Sequence, residues 1–114
     1  MAEKEERRRQ GKLLGRVARL VDQVDYQDDS IVSQQIVKSD EGNVTLFAFD
    51  QGQGLSEHTT PFDALVQVLD GEAEITIAGK PLKLKEGDAV IMPASQPHAV
   101  KALSRFKMLL TMIR

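Results

Sequence analysis

The chain has 114 residues, a net charge of −2 and a charged fraction of 28%, which leaves room for one domain and gives no overall basic field to attract nucleic acid. With no cysteine, it cannot form disulfides, thiolate zinc sites or iron–sulfur clusters and has no cysteine nucleophile. With no tryptophan and a single tyrosine, Tyr26, it is a poor candidate for a sugar or nucleobase site built on stacked rings.

The N-terminal stretch Met1–Gln10 is charged and carries no apolar run of the signal-peptide kind. The run Arg7-Arg8-Arg9 follows Glu3, Glu5 and Glu6, which largely cancel it, so it reads as a solvated terminus or a first helical turn. Nowhere does an apolar stretch approach the ~20 residues of a membrane-spanning helix. A soluble cytoplasmic protein without membrane or nucleic-acid partners is expected.

From Leu13 to Val24 the apolar residues Leu13, Leu14, Val17, Leu20, Val21 and Val24 recur at three- and four-residue steps, which predicts a short amphipathic helix. After Asp28-Asp29-Ser30 the period changes to two. Ile31–Ser39 and Val44–Asp50 read as a hairpin around the turn Asp40-Glu41-Gly42-Asn43, and Gln51-Gly52-Gln53-Gly54 as a flexible link. Phe62–Leu69 is rich in strand formers, and Asp70-Gly71 signals a hairpin into the alternating stretch Glu72–Ala78. Gly79-Lys80-Pro81 turns the chain again. Leu82 and Leu84 then alternate with lysines, and Glu86-Gly87-Asp88 leads into the strand Ala89–Met92. Pro93 and Pro97 bracket a loop before the last two strands, His98–Ala102 and Phe106–Ile113.

Many short strands after one small helix indicate an all-β sandwich or barrel. Residues 1–30 are expected to form a tail and short helix packed on the barrel, and residues 31–114 the barrel itself, in one structural domain. The last strand is apolar on both faces: Phe106, Met108, Leu110 and Met112 lie on one, Leu109 and Ile113 on the other. Such a strand is covered on both sides, and a second subunit is the expected cover, making the protein a homodimer.

Two stretches carry chemistry. In the first, Gly52 is followed after five residues by His58, Thr59 and Thr60, then Pro61-Phe62-Asp63-Ala64, six more residues and Gly71. In the second, Gly87 is followed by Asp88-Ala89-Val90-Ile91-Met92-Pro93, then Ala94-Ser95-Gln96-Pro97-His98. Their glycine, proline and histidine spacings resemble the paired motifs of the cupin family, and the resemblance spans about Val44 to Ile113. It implies a double-stranded β-helix, or jelly-roll, barrel with a pocket inside. In metal-binding cupins two histidines and a glutamate of the first motif join a histidine of the second around one metal. By that resemblance only His58 and His98 remain as metal ligands. Thr60 stands for the second histidine, Ala64 for the glutamate, Ser95 for a glycine and Ala102 for an asparagine.

The expected pocket therefore includes His58, Thr60, Ala64 and His98. Asp63 and Glu57 lie beside site positions, but a one-residue step on a strand points each to the opposite face, so neither completes a metal shell without a bulge. Glu57 and Asp63 as an acid–base pair is a weaker reading than two solvated carboxylates. Met92, Met108 and Met112 read as core filling, and Phe47, Phe49, Phe62 and Phe106 as core or interface. The functional reading is a cupin that binds an unidentified small molecule, with or without one divalent ion (zinc, iron, nickel or copper) on the two histidines. The alternative is a metal-dependent oxygenase, isomerase or decarboxylase acting on a small organic acid.

Overall fold

Alternating apolar residues, cut into short runs by turns, commit almost the whole chain to strands. The computed structural model describes residues 13–114 and contains nine of them: β1 (Ile31–Ser39), β2 (Gly42–Phe49), β3 (Gly54–His58), β4 (Asp63–Asp70), β5 (Glu72–Ile77), β6 (Lys80–Lys85), β7 (Ala89–Met92), β8 (His98–Ala102) and β9 (Phe106–Ile113). They form two antiparallel sheets, a five-stranded one in the order β1-β2-β9-β4-β7 and a four-stranded one in the order β3-β8-β5-β6. The all-β jelly-roll expectation holds.

The inner faces of the two sheets enclose one core. Phe49, Val66, Val68, Phe106 and Met108 come from the larger sheet, and Ala73, Ile75, Leu84, Val100 and Ala102 from the smaller. Phe49 and Phe106 are partners in the β2–β9 register and stack at 4.5 Å between ring centroids, within the range that favours offset aromatic pairs.

Asp70-Gly71 does not turn a hairpin. β4 lies in the larger sheet and β5 in the smaller, so the chain switches sheets there. Gly71 has φ +77°, and a Cβ at that position would collide with the backbone carbonyl of Arg105, so only glycine fits the corner. The next turn falls at Ala78-Gly79, one residue before the expected site. Both residues are left-handed (φ 49° and 80°), joining Ile77 to its partner Lys80 in a two-residue hairpin loop. Pro81 is thereby placed in β6, an edge strand, where its missing N–H is tolerated.

The expected helix over Leu13–Val24 is corrected: among the described residues the only helical element is a single 3-10 turn, Leu20–Asp22. Gly15 takes a left-handed φ of +69°, which interrupts any helix through that point. Leu14 and Val17 are exposed instead of packed. The segment crosses the outer face of the larger sheet as a strap, where Leu20, Val24 and Tyr26 pack with Val32, Ile36, Leu46, Ala48, Leu69 and Leu109.

Side chains from the far end of the barrel pin the strap down. Lys107, only 9% exposed, donates from Nζ to the carbonyl of Val21 at 2.6 Å and sits 4.9 Å from the centre of the Tyr26 ring. The Tyr26 hydroxyl donates to Asp70 at 2.6 Å. Burial and that carboxylate push the Tyr26 phenol well above its ordinary range. Arg105 bridges Asp28 and Asp50. The backbone N–H of Asp29, followed by the Arg105 guanidinium, holds the Asp50 carboxyl below the usual carboxylate range. Leu109 therefore gets its cover from the chain's own strap, while Ile113 stays exposed. The Arg7-Arg8-Arg9 run and the rest of residues 1–12 lie outside the described residues.

Candidate functional site

β3 and β8 lie side by side in the smaller sheet, and their register places His58 directly opposite His98. Regular pairing would not do this. Leu55 opposes Val100, and between those partners and the histidine pair β3 has one residue more than β8. The resulting bulge turns His58, instead of Glu57, onto the inner face that Leu55 already occupies. Glu57 is left exposed.

The two imidazoles meet edge to face, with ring centroids 4.3 Å apart and Nε2 atoms 3.1 Å apart. Each ring is also held from its other side. Nδ1 of His58 lies 2.7 Å from the carbonyl of Ser56, and Nδ1 of His98 lies 3.2 Å from that of Gln96. A carbonyl only accepts, so each Nδ1 carries its hydrogen, and each neutral ring leaves Nε2 as a bare lone pair. Two bare lone pairs repel, so the contact is satisfied by one proton shared between the rings or by a cation that both can ligate. His98 is 3% exposed, while His58 is exposed. Burial, and less strongly the neighbouring His58, lowers the pKa of His98 below the usual histidine value, against the opposing pull of the Gln96 carbonyl.

The loop between β7 and β8 presents His98. Ser95, at the position where the motif has glycine, keeps a glycine-like left-handed φ of 64°. Its N–H donates to the carbonyl of Thr60 at 2.8 Å, tying the loop to the segment after β3. Asp63 accepts from the N–H of Ala94 at 2.9 Å, bracing the same loop from outside the pocket. It does not join Glu57 as an acid–base pair. The Thr60 hydroxyl accepts from the N–H of Phe62 at 3.3 Å in a local turn.

The structure brings His58, Thr60, Ala64 and His98 to one cavity of about 320 Å³. Most of its wall was not singled out as a site from sequence. Phe47, Met108, Leu110 and Met112 come from β2 and β9, Met92 from β7, and Leu55 and Val100 from the smaller sheet. Inward-facing alternation marks these residues as core, and alternation alone does not separate a side chain that fills a core from one that faces a cavity. Ala64 is 1% exposed and sits on β4 between Met92 of β7 and Met112 of β9, its partners in the two flanking registers. Where the motif would place a carboxylate, the wall is a methyl group between two thioethers.

Comparison with known proteins agrees with this fold. The cupin-domain family profile matches residues 45–114. The chain belongs to the cupin family. A conserved protein of unknown function from Streptococcus pyogenes is 36% identical, with the match covering 87% of each chain, and superposes with a TM-score of 0.84. A cupin 2 conserved barrel domain protein from Leptotrichia buccalis is 41% identical with a TM-score of 0.78, and the match covers 80% of this chain but 44% of that one. A cupin superfamily protein from Desulfitobacterium hafniense is 31% identical over 79% of this chain and 83% of that one, with a TM-score of 0.77. The comparison with curated proteins gives no match.

The four-ligand divalent site of metal-binding cupins does not fit this cupin. Among the described residues no three His, Cys, Asp or Glu side chains converge on a common point. The cavity lining holds neither a third imidazole nor a carboxylate beside the histidine pair, and Thr60 and Ala64 stand at the two remaining motif positions. Nor does any described helix have the length and apolarity to cross a membrane.

Proposed function

We propose that this cupin binds a small organic molecule with a short apolar body and one polar or anionic head, the head meeting Nε2 of His58 and His98 and the body lying against the methionine and phenylalanine wall. The observation that carries this reading is the cavity itself. At about 320 Å³ it is at the lower end of small-molecule sites, and it is lined almost wholly by apolar side chains with the two imidazoles converging at one end. A proton shared by the pair would give an anionic head a charge-assisted partner.

Three of the four methionines line the cavity, so their methyl groups report on it directly. Titration of methionine-methyl-labelled protein, with a chelator present, against short aliphatic and aromatic carboxylates is expected to give saturable shifts that His58→Ala abolishes. Unmoved methyl resonances throughout the millimolar range would refute the reading.

The enzyme alternative, acting on a small organic acid, is favoured by one feature: the exposed His58 lines the cavity, where its imidazole can take a proton from a bound acid as a general base. Deuterium exchange at acidic carbons of bound ligands, present with His58 and absent with His58→Ala, would mark it. We also propose a homodimer, supported by the exposed apolar residues Val37, Ile91 and Ile113. Sedimentation analysis tests it. A cytoplasmic setting is part of the same proposal.

A further inference from the structure

The residues that replace the divalent site have a chemistry of their own. In the same cavity lining as the histidine pair, Met92 and Met112 flank Ala64 on the two strands either side of β4, and Met108 lines the same space. A hydrocarbon-only core could use leucine at these places. Thioethers differ from it in polarisability and in a sulfur lone pair. In that lining the Nε2 atoms of His58 and His98 stand 3.1 Å apart with both Nδ1 atoms tied to carbonyls. Two tetrahedral ligands of one ion with metal–nitrogen bonds of about 2.0–2.1 Å stand roughly 3.3–3.4 Å apart, so about a few tenths of an ångström of opening fits the pair around an ion.

We infer that the cavity is a site for monovalent copper, held by Nε2 of His58 and His98 together with the thioethers of Met92 and Met112. Charge and softness both select this ion. All four donors are neutral, so an ion here keeps its full charge inside a largely apolar wall. The cost of removing an ion from water grows with the square of its charge, so a monovalent ion is penalised far less than a divalent one of similar size. Thioether sulfur is a soft ligand that suits copper(I) and is a poor match for magnesium, calcium or manganese, while imidazole suits copper as well. Loss of the motif glutamate at Ala64 and of the motif histidine at Thr60 thus changes the class of ion favoured. This inference is independent of the organic ligand, which would compete for the same Nε2 atoms.

The test is an anaerobic competition in which the whole protein, with ascorbate present, withdraws copper(I) from its coloured bicinchoninate complex. One copper(I) per chain is expected. The volume-conserving double variant Met92→Leu/Met112→Leu should weaken copper(I) at least about tenfold while leaving zinc affinity unchanged. A variant that binds copper(I) as tightly as the natural sequence, or a natural sequence that withdraws none, overturns the inference. Copper K-edge absorption of the loaded natural protein needs no variant. Sulfur neighbours beside nitrogen support the site, and a shell of nitrogen and oxygen alone refutes it.

Discussion

If two lost ligands are what separates this site from a divalent one, restoring a carboxylate should move it back. Ala64→Glu is the sharpest way to ask. Ala64 is 1% exposed, with its Cβ on the cavity wall between Met92 and Met112. Without metal, a glutamate there enters an apolar space, where burial favours its neutral form, and the unpaired polar group costs about 1–3 kcal/mol. With a divalent ion the same side chain becomes the third ligand beside His58 and His98. Zinc at a hundred times its dissociation constant then adds about 2.7 kcal/mol. At the lower end of the usual conversion for small domains, ~4 °C per kcal/mol, the variant melts about 4–12 °C below the natural protein when metal-free and regains about 10 °C with zinc. Thermal denaturation of both proteins, with chelator and with titrated zinc, measures this. The reasoning fails if zinc shifts the two melting temperatures equally, or shifts neither.

Other outcomes follow from contacts already described. Tyr26→Phe removes the hydrogen bond to Asp70 but keeps the ring under Lys107, and should lower stability by about 1–3 kcal/mol in urea denaturation, since the acceptor is charged. Ser95→Gly relieves a left-handed serine and should raise stability by about 0.5–1 kcal/mol in the same assay, with unchanged strand pairing. His98 binds its proton less readily folded than unfolded, so its contribution to stability is complete above the unfolded value of about 6.5 and is lost as pH falls from there toward the lower folded value. Urea midpoints measured from pH 7.5 to 5 should fall accordingly, and His98→Gln should flatten that slope.

How much of this was legible in the sequence depends on whether a feature is written in local pattern or in pairing. β8 and β9 run over the residues their alternation marks, because each keeps a steady apolar face, and β1 does so despite a register shift between Gln35 and Val37. β3 escaped detection because Gly54-Leu55-Ser56-Glu57-His58 has one apolar residue and no alternation to read. Asp70-Gly71 has the local chemistry of a hairpin, but whether a left-handed glycine turns a hairpin or rounds a corner depends on which sheet receives the next strand. The helical period of Leu13–Val24 is real as a pattern, yet Gly15 breaks it, and Lys107 from β9 takes the carbonyl of Val21 as its hydrogen-bond partner.

The site shows the same division. Motif spacing brings His58, Thr60, Ala64 and His98 to attention, because ligand-bearing positions recur at set distances from glycine and proline. Neither thioether stands at a ligand position of the motifs, although Met92 lies inside the second. Met92 lies 28 residues beyond Ala64 and Met112 lies 48 beyond it. They meet only because β7 and β9 both pair with β4 in registers that put each of them opposite the same residue. The bulge in β3 is equally hidden, since nothing in Leu55-Ser56-Glu57-His58 says which residue is the extra one. Without that extra residue, strict alternation from Leu55 would aim Glu57 at the cavity and His58 at solvent. One unpaired residue thus decides whether the donor facing His98 is a carboxylate or a second imidazole. That choice gives the cavity neutral donors and leaves its ion selectivity to charge and softness.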